Sequence, residues 1–225
     1  ERGLSRFVVL YPDHGYGRAL SRLFDEEVGA AGGSLCPPVA YPPGTKSFTE
    51  HIKLVLKDGC DVVLLADTAA QVALIAPTFA AEGAWSSASD VLPSAATRRV
   101  HFLLTSPSWS PTLMSRAGRY LQGALVTQPY YEASEEPLNA QFREEYTARY
   151  GRPPQMFAAY GYDAYRVVSA SLRQGYQDRK ALAEALSAGL GVSSVTSVSA
   201  LSNRREPAYP PRVYELVEDL LRPAR

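Results

Sequence analysis

The sequence has no excess of either charge and no long apolar run. Its 225 residues include 23 Lys and Arg against 23 Asp and Glu, so the formal net charge is zero. Nucleic-acid-binding domains normally carry a basic excess or a basic stripe, so we exclude nucleic acid as a partner. Apolar runs such as Val62 to Ala66 are much shorter than the about 20 residues of a membrane span, so no segment is predicted to cross a bilayer.

Cysteine and histidine are scarce, which limits metal and redox chemistry. Cys36 and Cys60 cannot form a disulfide scaffold or a four-ligand zinc site. One bridge and two small buried thiols both remain open, because both cysteines fall near predicted strand starts. His14 follows Asp13 without a nucleophile beside it, and we interpret the pair as solvated loop residues. With no P-loop, dinucleotide fingerprint or nucleophile elbow in the sequence, we expect no cofactor, no metal and no enzyme activity.

Apolar residues make up 46% of the chain, which is enough for a globular core. Short apolar runs alternate with helix-periodic segments as far as about residue 130. The predicted strands cover residues 7–11, 34–41, 61–66, 100–104 and 123–127. This repetition predicts an α/β fold with a parallel, doubly wound sheet that helices cover on both faces.

Local patterns indicate how three of the intervening helices begin and pack. Ser47 with Glu50, and Thr68 with Gln71, match capping boxes in which the hydroxyl caps the helix. We read residues 86–97 as a loop. The helix over 15–31 has a predicted buried face that contains Leu20, Leu23, Phe24 and Val28.

Candidate ligand contacts follow the carboxyl ends of the predicted strands, where parallel sheets bind ligands. These residues are Tyr16, Asp67, Thr68, Ser106, Ser108 and Trp109. Tyr16 can contribute a phenol, and Asp67 a carboxylate that pairs with an ammonium group or is simply solvated. Thr68 also fits a helix N-cap, and Trp109 fits a partly buried core position, so these alternatives stay open.

The pattern changes after residue 130. Helices are predicted over 137–150, 156–174 and 179–188, and strands over 195–200 and 212–217, with a polar turn at 202–206. Between Met156 and Leu172 only Asp163 and Arg166 are charged, so this helix requires burial on most sides. We therefore expect a second sheet from upstream sequence, or a partner chain such as a second copy, to cover these helices.

Six segments in a fixed order carry a family resemblance. They are FVVLYPDHGYG at 7–17, YPPGTKSF at 41–48, the strand and helix from Gly59 to Gly83, GRYLQGALVTQPYY at 118–131, FREEYTARYGRP at 142–153 and AAYGYDA at 158–164. Over about residues 5–220 the chain resembles type I periplasmic solute-binding proteins of the leucine/isoleucine/valine-binding branch. Within that branch it is similar to divergent members known as penicillin-binding-protein activators.

The resemblance implies a two-lobed fold whose lobes close on a ligand. Residues 5–130 then correspond to the second lobe, 131–200 to a helical segment that returns to the first lobe, and 201–225 to a late strand and tail that cross back. The first lobe's opening segment, roughly a domain's worth of chain, has no counterpart here. The resemblance therefore implies the C-terminal part of a larger periplasmic or extracytoplasmic protein, with a lipid anchor upstream as a further expectation.

The implied function is a receptor that captures an amino acid or another small polar solute for an ABC-type membrane transporter or a sensor. In amino-acid-binding members, an acidic residue near the fourth strand end holds the ligand's ammonium group. This sequence has Thr105-Ser106-Pro107-Ser108-Trp109 there, without a carboxylate. The alternative is therefore a protein-interaction domain on the same fold that binds a cell-wall synthase and regulates peptidoglycan synthesis.

Overall fold

Strands and helices alternate through the first part of the chain, as the apolar pattern predicts. The computed structural model describes residues 4–86, 98–188, 192–196, 212–218 and 220–224. The chain divides into two units: unit one comprises residues 1–127 and 213–225, and unit two comprises residues 128–212. No helix among the described residues is both long and apolar enough to cross a membrane.

Unit one is built on strands β1 to β9 and helices α1 to α4. The strands are β1 Arg6–Pro12, β2 Ser34–Leu35, β3 Val39–Tyr41, β4 Val62–Leu65, β5 Ala84–Ser86, β6 Arg98–Leu104, β7 Leu125–Gln128, β8 Arg212–Val217 and β9 Leu220–Pro223. The helices are α1 Gly15–Ala30, α2 Thr49–Lys57, α3 Ala69–Ala81 and α4 Pro111–Ala117, with 3₁₀ turns at Ser106–Ser108 and Gly118–Tyr120.

The sheet is mostly parallel, which confirms the predicted fold class. Its strand order is β2-β1-β4-β6-β7-β8-β9, with β3 also pairing with β1 and β5 with β6. Pairs from β1 to β7 are parallel, whereas β8 and β9 are antiparallel. Val62–Leu65 is buried along its whole length, as expected for a central strand covered on both faces. On one face Phe79 meets Phe102 edge to face, with ring centroids 5.2 Å apart.

Several local predictions were wrong, each for a physical reason. The capping box at Ser47 does not form. Helix α2 begins one residue later than that box requires, and the buried Phe48 occupies the N-cap position. Thr68 is the N-cap of α3, but its side chain makes no capping hydrogen bond. Leu23 is 47% exposed, because α1 turns Gly17 and Ser21 inward instead.

Segment boundaries also differ from the predictions. Pro37 and Pro38 divide the second predicted strand into β2 and β3, since proline has no N–H for a ladder. Ser86, predicted to open a loop, is the last residue of β5, and residues 87–97 lie outside the described part. Val195 and Thr196 are not in a strand, and residues 197–200 and the predicted turn at 202–206 lie outside the described residues.

The two cysteines form a disulfide, which decides between the alternatives that the sequence left open. Cys36 and Cys60 are bridged, with Cα atoms 6.4 Å apart and a separation of 24 residues in sequence. Both side chains are buried. The bridge joins the segment after β2 to the residue that leads into β4, so it links the sheet edge to a central strand.

Unit two contains three helices close to their predicted bounds: α5 Pro137–Tyr150, α6 Met156–Arg173 and α7 Arg179–Ser187. Its core packs Tyr130, Phe142, Ala159 and Val195 together. Buried Asp163 holds the segment at 195–196 through three hydrogen bonds, from Val195 N at 3.0 Å, Thr196 N at 2.8 Å and Thr196 Oγ1 at 2.6 Å.

One side of α6 is apolar and exposed. Phe157 is 78% exposed and Tyr165 is 69% exposed. The remaining members of this α6 stripe are Val168 and Leu172, with Gly161 between the two aromatic residues. The prediction that this helix needs more cover than the chain provides agrees with this exposure.

Candidate functional site

The strands of unit one bring the candidate residues to one side of the sheet. In the parallel registers, Pro12 lies beside Tyr41, and Leu65 lies beside both Leu10 and Leu104. The residues that follow β1, β3, β4 and β6 therefore share one side, which we call the carboxyl edge. Tyr16, Asp67, Thr68, Ser106, Ser108 and Trp109 all belong to it.

The turn from β1 into α1 places Tyr16 at the edge. His14 is the N-cap of α1, and its Nδ1 accepts a hydrogen bond from Gly17 N at 3.2 Å. Gly17 is packed so tightly that a Cβ atom there would lie 2.1 Å from the Pro12 carbonyl oxygen. His14 is exposed, as predicted for a loop residue, but it also fixes how the helix begins. Tyr16 follows in the first turn and is 46% exposed.

Hydroxyl groups connect the end of β1 to the end of β6. Tyr16 Oη donates to Thr105 Oγ1 at 3.3 Å, and Thr105 Oγ1 lies 3.3 Å from Ser108 Oγ. Ser108 Oγ in turn donates to the carbonyl oxygen of Asp67 at 2.7 Å. Ser108 is fully buried and links the ends of β4 and β6 from inside the fold. Tyr16 and Thr105 form the more exposed part of this hydrogen-bonded series.

Asp67 is held by two neutral donors. Its Oδ1 accepts a hydrogen bond from Thr68 N at 2.6 Å, and its Oδ2 accepts one from Tyr41 Oη at 2.6 Å. The carboxylate is half-buried, and each oxygen retains a lone pair for a further donor. Burial, and then the hydrogen bond and charge of Asp67, raise the pKa of Tyr41 far above its usual value, so the phenol stays protonated and keeps donating.

Sequence reasoning did not single out Thr105, although it directly follows β6, and it did not predict Tyr41 as a site residue. Tyr41 ends β3 and is 1% exposed, so only its hydroxyl reaches the carboxyl edge. The sequence offers one indication that Tyr41 has a role at the site, namely its position at the end of a predicted strand. Many other residues occupy such positions. Its partner, Asp67, lies on the far side of β1 in the sheet order, and no local pattern reports such a contact.

The remaining candidates lie at the edge with different surroundings. Ser106 Oγ donates to Thr127 O at 3.0 Å, which directs it toward β7. Trp109 is half-buried at the end of the 3₁₀ turn, and Thr68 is exposed. Within the described ranges, no three His, Cys, Asp or Glu side chains converge as metal ligands.

Among the described residues, neither hydrogen-bond donor of Asp67 is a cation. Arg18 pairs with Asp13 at 2.7 Å, and both side chains are more than half exposed. An exposed pair of this kind contributes little to stability. Among the described residues of the carboxyl edge, Asp13 and Arg18 therefore offset each other, whereas the hydrogen bonds of Asp67 come from a phenol and a backbone N–H.

In a comparison with protein-family models, residues 1–210 match a family described as periplasmic binding protein. Among curated proteins there is no match.

Solved structures match almost the whole chain. A protein from Rhodospirillum rubrum, assigned to a branched-chain amino acid ABC transporter, is 22% identical with a TM-score of 0.84, covering 99% of this chain and 61% of its own. The leucine-binding protein LivK from Thermotoga maritima is 22% identical with a TM-score of 0.76, covering 99% and 60%. A solute-binding protein from R. palustris in complex with benzoate is 17% identical with a TM-score of 0.71, covering 98% and 58%. The chain thus spans about 60% of the length of these structures.

Proposed function

Because the chain belongs to the periplasmic binding protein family, we propose that it captures a small polar ligand as part of an extracytoplasmic solute receptor. The observation that carries the proposal is the chain of polar side chains along the carboxyl edge of unit one. Tyr16, Thr105, Ser108, Asp67 and Tyr41 connect four strand ends there by hydrogen bonds. Such an edge presents donors and acceptors already fixed in position, which lowers the cost of ordering them on binding.

The ligand is proposed to be an amino acid or another small polar solute. Two structural relatives are described with leucine binding and with bound benzoate, so the fold accommodates ligands of this size. The exposed groups Tyr16 and Thr68 and half-buried Asp67, Ser106 and Trp109 are the proposed direct contacts.

The remaining assignments follow from the family. We propose that residues 5–130 form the second lobe, 131–200 the segment that returns to the first lobe, and 201–225 the part that crosses back. Ligand capture by lobe closure is the family's mode of action. Delivery to an ABC transporter, or signalling through a sensor, is the corresponding partner proposal, in a periplasmic or extracytoplasmic location and without catalysis.

One observation favours a second function, a protein-interaction domain that regulates cell-wall synthesis. The segment Thr105–Trp109 at the end of β6 contains no carboxylate, although amino-acid-binding members are expected to place one there. Direct binding to a purified cell-wall synthase, with no response to solutes, would support this alternative.

A thermal-shift screen of the full-length protein tests the proposed function. Amino acids, sugars and aromatic acids are tested one by one, since any compound that binds only the folded state raises its melting temperature. We expect at least one class to stabilise the wild type and to lose most of this effect in Tyr16→Phe and Asp67→Asn. Asp25→Asn, on the exposed face of α1, is the matched control. A screen in which no compound changes the melting temperature would contradict the proposal.

A further inference from the structure

We infer that Tyr41 sets the charge preference of the carboxyl edge by holding Asp67 in one orientation, so that the site favours ligands with an ammonium group over ligands with only an anionic group. The inference rests on the proposed function, because it concerns the same edge. It assigns Tyr41 the role of a positioning residue and Asp67 that of a direct contact.

The position of Tyr41 in the fold is the first argument. Tyr41 ends β3, Asp67 follows β4, and β1 lies between these strands in the sheet. The phenol therefore reaches across the end of β1 to Asp67 Oδ2, 2.6 Å away. The carbonyl oxygen of the same residue accepts a hydrogen bond from Asp13 N at 2.8 Å, at the start of the turn that carries Tyr16. One buried residue thus connects two segments of the edge.

The rigidity of the phenol is the second argument. Tyr41 packs edge to face on Phe48, with ring centroids 5.0 Å apart, and its ring lies 6.0 Å from that of His51. Packing on two rings and full burial restrict the side chain's freedom to change rotamer. A carboxylate bonded to such a donor loses little further freedom when a ligand binds, which is the usual advantage of a supported contact.

The chemistry of the donors is the third argument. A guanidinium or ammonium partner would neutralise Asp67, whereas a phenol and a backbone N–H orient it and leave its charge in place. The strongly raised pKa of Tyr41 keeps that donor neutral. A fixed and unneutralised carboxylate attracts an ammonium group and disfavours a second carboxylate. The carboxyl edge should therefore distinguish two ligands of the same shape when only one of them carries an ammonium group.

Matched ligand pairs test this preference. Calorimetry on the full-length protein compares L-leucine with 4-methylpentanoate, L-phenylalanine with 3-phenylpropanoate, and glucosamine with glucose. We expect the ammonium-bearing member of at least one pair to bind more tightly. In Tyr41→Phe, which keeps the ring, the ratio of the two affinities should fall roughly three- to tenfold, and in Asp67→Asn roughly tenfold or more. Tyr120→Phe, whose hydroxyl accepts from Arg119, is the matched control and should keep the ratio.

The outcomes separate the inference from the proposed function. A fall in the ratio cannot come from a general loss of folding, because such a loss would weaken both members of a pair equally. If a compound binds but Tyr41→Phe leaves the ratio unchanged, or if the analogue without the ammonium group binds equally well, the inference is overturned and the proposed function stands. If no compound binds the wild type, both are overturned.

A measurement without ligand tests the positioning contact directly. A buried phenol bonded to a carboxylate should give a slowly exchanging hydroxyl proton in the NMR spectrum. We expect this resonance to disappear in Tyr41→Phe and to shift in Asp67→Asn. A resonance that Asp67→Asn leaves unchanged would show that Tyr41 does not hold Asp67, and would overturn the inference whatever binds.

Discussion

At the turn between β1 and α1, two backbone segments approach so closely that a side chain does not fit. A Cβ atom at Gly17 would lie 2.1 Å from the Pro12 carbonyl oxygen, whereas one at Gly15 would meet nothing within 4 Å. The two glycines are two residues apart in the same helix. They therefore form a matched pair that separates steric fit from helix propensity.

We expect Gly17→Ala to destabilise the protein by about 1–3 kcal/mol, because the extra methyl group forces backbone to move. Gly15→Ala should be neutral or slightly stabilising. Urea unfolding of both variants measures the difference. Because Gly17 also supports the turn that carries Tyr16, ligand affinity should fall in Gly17→Ala. Equal stability of the two variants would contradict the close approach.

Individual side chains were predictable to the extent that their position along the chain determines their role. Apolar runs locate strand ends, so the sequence alone assigned Tyr16, Asp67 and Trp109 to the edge. Tyr41 and Asp163 escaped prediction because each acts on a residue more than 20 positions away. A buried carboxylate such as Asp163 looks, in sequence, like one charge on an apolar helix.

Helix caps show how a pattern in the sequence can differ from the contact that forms. Ser110 caps α4 and accepts a hydrogen bond from Leu113 N at 3.0 Å. Thr68 occupies the same position in α3, but its side chain makes no such bond. In α3 the N–H of Gln71, which a capping hydroxyl would bind, donates to the carbonyl oxygen of Thr68 at 3.1 Å instead.

We expect Ser110→Ala to lower the free energy of unfolding by about 1 kcal/mol, the usual cost of losing a cap. Thr68→Ala should leave stability nearly unchanged, which makes it a clean variant for ligand binding. Chemical denaturation of the two variants is the measurement. A loss of stability in Thr68→Ala as large as in Ser110→Ala would show that its hydroxyl does cap the helix.

The disulfide links elements that are separated by 24 residues in sequence. Closing a loop of that length is expected to stabilise the fold by about 3 kcal/mol, mainly by restricting the unfolded chain. Unfolding midpoints should therefore fall in the Cys36→Ala/Cys60→Ala variant and in reduced wild type. Adding reductant to the double variant is the control and should change nothing. A wild type that is insensitive to reduction would contradict this prediction.

Longer elements were easier to predict than short ones. The three helices of unit two match their predicted bounds closely. Each repeats its apolar pattern over several helical turns, and this repetition shows where the helix begins and ends. Strands β5 and β9 were missed: with 3 and 4 residues they are about as short as β4, but they lack its continuous apolar run. In such short segments the pairing partner, rather than the local pattern, decides the structure.

At the scale of the whole molecule, the α6 stripe leaves apolar side chains uncovered, with Phe157 78% and Tyr165 69% exposed. Exposed apolar side chains at successive helical turns favour association with another surface. We expect the 225-residue chain on its own to self-associate as its concentration rises. Phe157→Glu/Tyr165→Glu should weaken this association by roughly tenfold or more, because each aromatic contact contributes about 1 kcal/mol.

Sedimentation velocity over a range of concentrations measures this effect. Leu54→Glu, at a leucine on α2 that is 54% exposed, is the control and should associate like the wild type. A chain that remains monomeric at all concentrations would contradict the prediction.

The chain returns to the sheet of unit one after it has formed unit two, and this order has a consequence for biosynthesis. Strand β8 pairs next to β7 only after residues 128–212 have been made. At ordinary elongation rates that takes on the order of ten seconds. During this interval the nascent polypeptide presents β7 as an open edge, the kind of surface that chaperones shield and that mispairs when unshielded. Codon choice within the intervening segment should therefore affect the yield of native protein more than codon choice elsewhere.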